Sequence, residues 1–209
     1  MDAKDKVRIG KFSRGGTSRV ETKGLDHDFY DETVTPFGLF LPDFSETYLY
    51  MTQTFTSSDF IVDCLEDFWK TNKERFSNVT KLLLNCDNGG ENSSHRTQFM
   101  KRMVDFVENE KIEIELAYYP PYHSKYNPIE RVWGVLEKHW NGTLLDSVDK
   151  VIGFAKSMTY NGIYPIVKCV DKIYSTGVKR TKLEMKGVEK KIVRLTGLEK
   201  WSVTIPYLG

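Results

Sequence analysis

Two short runs of this sequence put a carboxylate where a folded backbone can present it to a metal ion. In Leu82–Gly90, LLLNCDNGG, Asp87 follows an apolar run and precedes two glycines. In Tyr118–Trp133, YYPPYHSKYNPIERVW, Glu130 falls in the first turn of a helix announced by Asn127 and Pro128. A third acid, Asp2, stands at the chain start. Mg²⁺ takes few protein carboxylates and leaves its other positions to water and phosphate. Three acids on separate elements are therefore the donor set that a two-metal phosphoryl-transfer site needs, and the chemistry implied is DNA processing.

Each acid also has a plainer reading. Asp-Asn-Gly-Gly is ordinary turn chemistry, with the glycines supplying the φ > 0 positions. The same glycines leave the backbone bare beside Asp87, where a nucleic-acid strand could approach. Asn127, Pro128 and Glu130 fit the N-cap, N1 and N3 positions of a capping box. The two roles of Glu130 share a location, because a helix N-terminus favours negative charge. Asp2, as a second residue, would ordinarily be frayed and solvated. Gly134 and Glu137 lie one and two turns beyond Glu130, while Ile129, Val132, Trp133, Leu136 and Trp140 form the opposing apolar stripe and mark Trp133 as core.

The elements that must position these acids alternate along the chain. The pattern predicts strands at 7–12, 37–41 and 47–55, the last two forming an antiparallel hairpin about a turn at 42–46. Ser58 is the expected cap of a helix reaching about Arg75, with Phe60, Ile61, Cys64, Leu65, Phe68 and Trp69 on one stripe. Then follow a strand at 81–86, a helix at about 96–111, a strand at 112–119, a helix at 128–140 and another at about 147–160. The segment 14–35 reads as a loop. Three strands, then helix, strand, helix, strand, helix is the order of the RNase H-like α/β fold, a mixed five-stranded sheet flanked by helices. Residues 163–209 are expected to be an irregular extension.

Composition sets the outer limits. At 209 residues, 40% hydrophobic, the chain can bury a core as one domain, or as one domain with an appendage. Net charge is only +1, but residues 168–200 hold 10 Lys/Arg against 4 Asp/Glu. A basic tail beside an acidic body suits a metal-binding core with a phosphate-contacting arm, and equally a solvated helix face. Cys64, Cys86 and Cys169 are far apart and read as reduced core thiols. With neither a membrane-length apolar run nor a signal-peptide core, the expectation is a cytoplasmic protein. Asn78, Asn92 and Asn141 begin N-x-S/T triplets that carry no weight without a secretory signal.

The runs NCDNGGENSSHR, YYPPYHSKYNPIERVW with its following HWNGTLL, and KIYSTGVKR with WSVTIP resemble, in order and spacing, the DDE transposases of bacterial insertion sequences. They are most similar to the ISAzo-type group, the Rhodopirellula-type transposase DDE domain, and the likeness runs over nearly the whole chain. It implies an RNase H-like catalytic domain over 1–162, with 163–209 as a basic extension. Position by position, Asp2, Asp87 and Glu130 match the catalytic Asp, Asp, Glu triad. They would hold two Mg²⁺ or Mn²⁺ ions about 4 Å apart, which activate water or a 3′-hydroxyl and stabilise the leaving oxygen. Ser124 and Lys125 match the family's SK pair and Asn127 its asparagine. Lys125, His123, Ser124 and Asn127 are the expected DNA contacts, a solvated loop lysine being the plain alternative for Lys125. The implied partners are element ends and target DNA, with a homodimer as the family expectation.

Such transposases carry a helix-turn-helix region ahead of the catalytic domain, whereas only Met1 precedes Asp2 here. The expectation is a catalytic-domain fragment with a truncated first strand and weak or absent transposition. Two other classes stay open: a non-catalytic DNA-binding relic of a transposase, and an RNase H-like nuclease.

Overall fold

The computed structural model describes residues 1–12, 14–18, 32–119 and 127–209. The chain divides into two compact units. One comprises Met1, Phe55–Asn127 and Tyr174–Gly209; the other comprises Asp2–Thr54 and Pro128–Ile173. The α/β class expected from the sequence holds.

In the second of these units, β1 (Asp2–Ala3) and β2 (Val7–Arg8) both pair antiparallel with β3 (Thr33–Leu41). A 3₁₀ turn at Pro42–Phe44 leads to β4 (Glu46–Thr52), which completes the expected hairpin. The strand β7 (Ile166–Val170) then adds parallel to β4. Strand β3 begins four residues before its expected start, because Thr33 and Val34 pair with Arg8 and Val7 and Val34 is buried. Strand β2 is shorter than expected, since the Gly10 amide donates to the Leu145 carbonyl instead of continuing the ladder. The helices α3 (Ile129–Trp140) and α4 (Val148–Ser157) cover this sheet. All five residues of the predicted α3 stripe enter the core, joined by Val7, Ile9, Leu49, Met51, Leu145, Val151 and Met158.

The other unit is built on β5 (Lys81–Cys86) and β6 (Glu113–Tyr118), parallel strands connected by α2 (Thr97–Glu110). Parallel strands need a crossover connection of this kind, and the helix packs back onto the sheet. Strand β6 buries Ile114 and Leu116 and α2 buries Phe99, Met103 and Phe106, whereas β5 is fully buried only at Cys86. The helix α1 (Ser58–Asn72) lies against α2. The cap of α1 is Ser57, which accepts from the Phe60 amide, and not the expected Ser58. Ser58 is taken up elsewhere, as described below.

The expectation of an irregular C-terminal extension is corrected. Residues 163–209 contain β7, α5 (Lys182–Glu189), β8 (Val193–Arg194) and β9 (Ser202–Ile205). Strand β9 pairs antiparallel with β6 and buries Val203 and Ile205, so residues 174–209 contribute to the core of the unit that holds β6. The capping box Thr181/Glu184 starts α5. Cys64 and Cys86 are buried thiols as expected, whereas Cys169 is exposed. No helix among the described residues is long and apolar enough to cross a membrane.

Candidate active site

Asp87 is the first residue after β5, where the apolar run ends at the buried Cys86. The turn differs from expectation in one respect: the left-handed residue is Asn88 (φ 60°), and neither Gly89 nor Gly90 has positive φ. Asparagine tolerates that conformation because its short amide bonds locally, and here Asn88 Oδ1 accepts from the Ser94 amide at 3.3 Å. Gly89 is needed for space instead. A Cβ at Gly89 would lie 3.1 Å from Asp87 Oδ2 and 3.3 Å from Asn92 Oδ1.

The Asp87 carboxylate is oriented through one oxygen. Oδ1 accepts from the Gly89 amide at 3.1 Å and from Asn92 Nδ2 at 2.8 Å. Among the described residues no hydrogen bond falls on Oδ2. Asn92 is fixed in turn by the Tyr118 hydroxyl, which donates to its carbonyl oxygen at 2.9 Å. Burial pushes the Tyr118 hydroxyl well above the usual phenol range, so it serves as a permanent donor. The same loop is tied to α1 through Glu91, whose carboxylate accepts from the Ser58 amide and hydroxyl, both at 3.0 Å, and from Arg96 at 2.9 Å. A carboxylate on the first amide of a helix also meets the positive end of its dipole. The Met1 ammonium donates to the Asn85 carbonyl on β5.

Asp2 and Glu130 belong to the other unit, and their supporting elements meet at a single glycine. Asp2 pairs with Gly38 on β3. It is buried, contrary to the frayed alternative, and its Oδ1 accepts from the Ala3 amide at 2.8 Å. Onto Gly38 packs the first turn of α3: a Cβ there would lie 2.3 Å from Ile129 Cδ1 and 2.8 Å from Trp133 Cη2. Any larger residue would lift α3 off β3 at the turn that carries Glu130, the next residue after Ile129.

The capping box at Asn127 and Glu130 does not form. Helix α3 starts from Pro128 with no side-chain cap bond. Asn127 is 1% exposed, and its Nδ2 donates to the Tyr119 hydroxyl at 2.7 Å instead. Glu130 is thereby left half-buried, without a hydrogen bond or ion pair among the described residues. Two turns along, Glu137 bonds Lys4 at 2.8 Å, and Lys4 and Arg14 both lie over the Trp140 ring. Burial is the largest single influence and works against the Glu137 charge, but the hydrogen bond and charge of Lys4, with Trp140 and Arg14, together outweigh it and hold the carboxyl below its ordinary range. The expected DNA contacts His123, Ser124 and Lys125 lie outside the described residues.

Sequence reasoning singles out the acids but not the groups that orient them. Asn92 drew notice only as an N-x-S triplet, and Gly38 carried no signal, because its role is set by side chains far along the chain. Among the described residues, no three His, Cys, Asp or Glu side chains are grouped as a cation site. The residues nonetheless suit a hard divalent cation in kind: an oriented carboxylate with one uncommitted oxygen beside a buried amide oxygen that has no hydrogen-bond partner.

The class that this α/β chain, with acids at a strand end and a helix start, falls into is that of the DDE transposase domains. More particularly, it belongs to the Rhodopirellula transposase DDE domain family, whose sequence profile matches residues 1–206. Comparison with curated proteins and with solved structures gives no match.

Proposed function

We propose that this chain is the catalytic domain of an insertion-sequence transposase, cleaving DNA phosphodiesters and joining the freed 3′ end to target DNA. Asp2, Asp87 and Glu130 would hold Mg²⁺ or Mn²⁺ within an RNase H-like arrangement. When bound, the metal activates the attacking hydroxyl and neutralises charge on the leaving oxygen. The chain's own contribution is orientation. Asn92 and the Gly89 amide fix one oxygen of Asp87, Gly38 sets the height of the α3 turn that bears Glu130, and the β1–β3 ladder holds Asp2.

The observation carrying this reading is the family match over residues 1–206, joined to the finding that Glu130 is released from capping duty. Residues 1–162 would carry the chemistry. Residues 163–209 would add a phosphate-contacting arm, drawing on the exposed lysines of α5, while Lys125, Ser124, His123 and Asn127 remain candidates for contact with the DNA strand.

The test is nicking of supercoiled DNA in Mn²⁺. Asp87→Asn and Glu130→Gln should each abolish it without lowering thermal stability. Nicking that survives both substitutions would overturn the assignment. DNA affinity that persists unchanged in chelator with no cleavage would identify a binding relic, and cleavage confined to the RNA strand of a hybrid would identify a nuclease.

A further inference from the structure

The loop after β5 contains a buried polar atom that folding alone does not explain. Asn92 is 6% exposed, and its side chain is used on one side only: Nδ2 donates to Asp87 Oδ1, while Oδ1 has no hydrogen-bond partner among the described residues. Leaving a buried amide oxygen unbonded costs about 1–3 kcal/mol, so such an atom calls for a reason. The amide orientation follows from the Asp87 bond, because turning it over would set two oxygens against each other.

That oxygen lies on the same side of Gly89 as the Asp87 carboxylate. The position a Cβ would take on Gly89 lies 3.1 Å and 3.2 Å from Asp87 Oδ2 and Oδ1, and 3.3 Å from Asn92 Oδ1. Three oxygens, two from an ionisable carboxylate and one from a neutral amide, therefore lie together along the bare side of Gly89, where a side chain would crowd all three. Amide carbonyl oxygens are ordinary ligands of hard divalent cations. The assembly is rigid, since the Tyr118 hydroxyl holds the Asn92 backbone and Glu91 pins the intervening loop to Ser58 and Arg96.

We infer that Asn92 has two roles toward the cation held by Asp87: its Nδ2 positions the carboxylate, and its Oδ1 supplies a further oxygen ligand, directly or through water, beside Gly89. This rests on the proposed metal-dependent reading of Asp87 and adds a residue to it.

The experiment is a Mn²⁺ titration of the full chain followed by electron paramagnetic resonance, with no DNA and no turnover. Asn92→Ala and Gly89→Ala should each weaken Mn²⁺ binding by about 10- to 100-fold, the range for removing a supporting group at a metal centre. Asn92→Asp, which keeps the oxygen and loses the donor, should bind Mn²⁺ at least as tightly as the parent chain. A purely structural role predicts that Asn92→Asp is as weak as Asn92→Ala, and that result would overturn the inference. So would parent-like binding by Asn92→Ala or Gly89→Ala. Should Asn92→Ala fail to fold, as judged by metal-free urea unfolding, Asn92→Asp and Gly89→Ala decide the matter. Asp87→Asn separates the levels: weak binding by Asp87→Asn with parent-like Asn92→Ala defeats this inference alone, whereas parent-like binding by Asp87→Asn defeats the assignment of Asp87 as well.

Discussion

Replacing Gly38 by alanine should damage both stability and catalysis, through one displacement. The added methyl would sit 2.3 Å from Ile129 Cδ1 and 2.8 and 3.0 Å from two carbons of the Trp133 ring. Non-bonded carbons settle at about 3.5–4.0 Å, so the first turn of α3 must retreat by more than about 1 Å. Ile129 and Trp133 are both buried in one core with Val132, Leu136 and Leu49, which limits how far their side chains can swing aside. Overpacking of this kind costs about 1–3 kcal/mol. Glu130 moves with Ile129, and a shift of about 1 Å at a reacting group costs roughly 100-fold in rate. Urea unfolding of the metal-free chain measures the first effect, and Mn²⁺-dependent nicking of supercoiled DNA measures the second. Gly134→Ala is the control on the same helix: its Cβ would meet nothing within 4 Å, so it should stabilise by about 0.5–1 kcal/mol through helix propensity and leave nicking unchanged. A Gly38→Ala chain with the parent's urea midpoint and nicking rate would refute the argument that this glycine sets the seating of α3.

Glu91→Gln should destabilise the metal-free chain by about 2 kcal/mol, since it weakens charge-assisted bonds to Ser58 and Arg96, and thermal unfolding will register the loss. Glu137, whose folded carboxyl is held below its ordinary range, contributes stability that is present above its unfolded value and lost as pH falls through the folded one. The urea midpoint of Glu137→Gln should therefore match the parent in acid below about pH 3 and fall behind it on approach to neutrality. On α5, Glu184 is committed to the capping box and Glu189 to Arg194, while Lys182, Lys186 and Lys190 make no ion pair among the described residues. Changing these three lysines to alanine should make the dependence of log DNA affinity on log salt shallower by roughly 0.9 for each phosphate they neutralise, read by fluorescence anisotropy.

What the sequence made legible follows from how local each signal is. The α3 stripe was readable because five apolar residues at helical spacing answer to one buried face, and all five are in the core. The strand at Lys81–Cys86 and the hairpin were readable for the same reason, their patterns being bounded by turn residues on both sides. The α1 cap was misplaced by one residue because two adjacent serines compete for it, and only Glu91, 33 residues away, whose carbonyl and carboxylate both accept from the Ser58 hydroxyl, decides which is free to cap. The C-terminal strands were not readable. Strand β7 is partly exposed along its length, and β9 spans four residues whose alternation, Val203 and Ile205 inward, is too short to stand out until β6 supplies the partner.

The site divides along the same line. Asp87 and Glu130 are marked by their own neighbours, a turn and a helix start, but the contacts that fix the loop and helix carrying them are long-range. Tyr118 reaches Asn92 from 26 residues away, and Gly38 matters only because Trp133 and Ile129 come down on it. Asn127 shows the reverse case, a residue whose local pattern promises a cap and whose burial beside Tyr119 gives it other employment. That diversion has a chemical consequence. A glutamate in a capping box spends its carboxylate on a backbone amide, whereas Glu130, relieved of that bond, keeps its oxygens for whatever the fold brings to the start of α3.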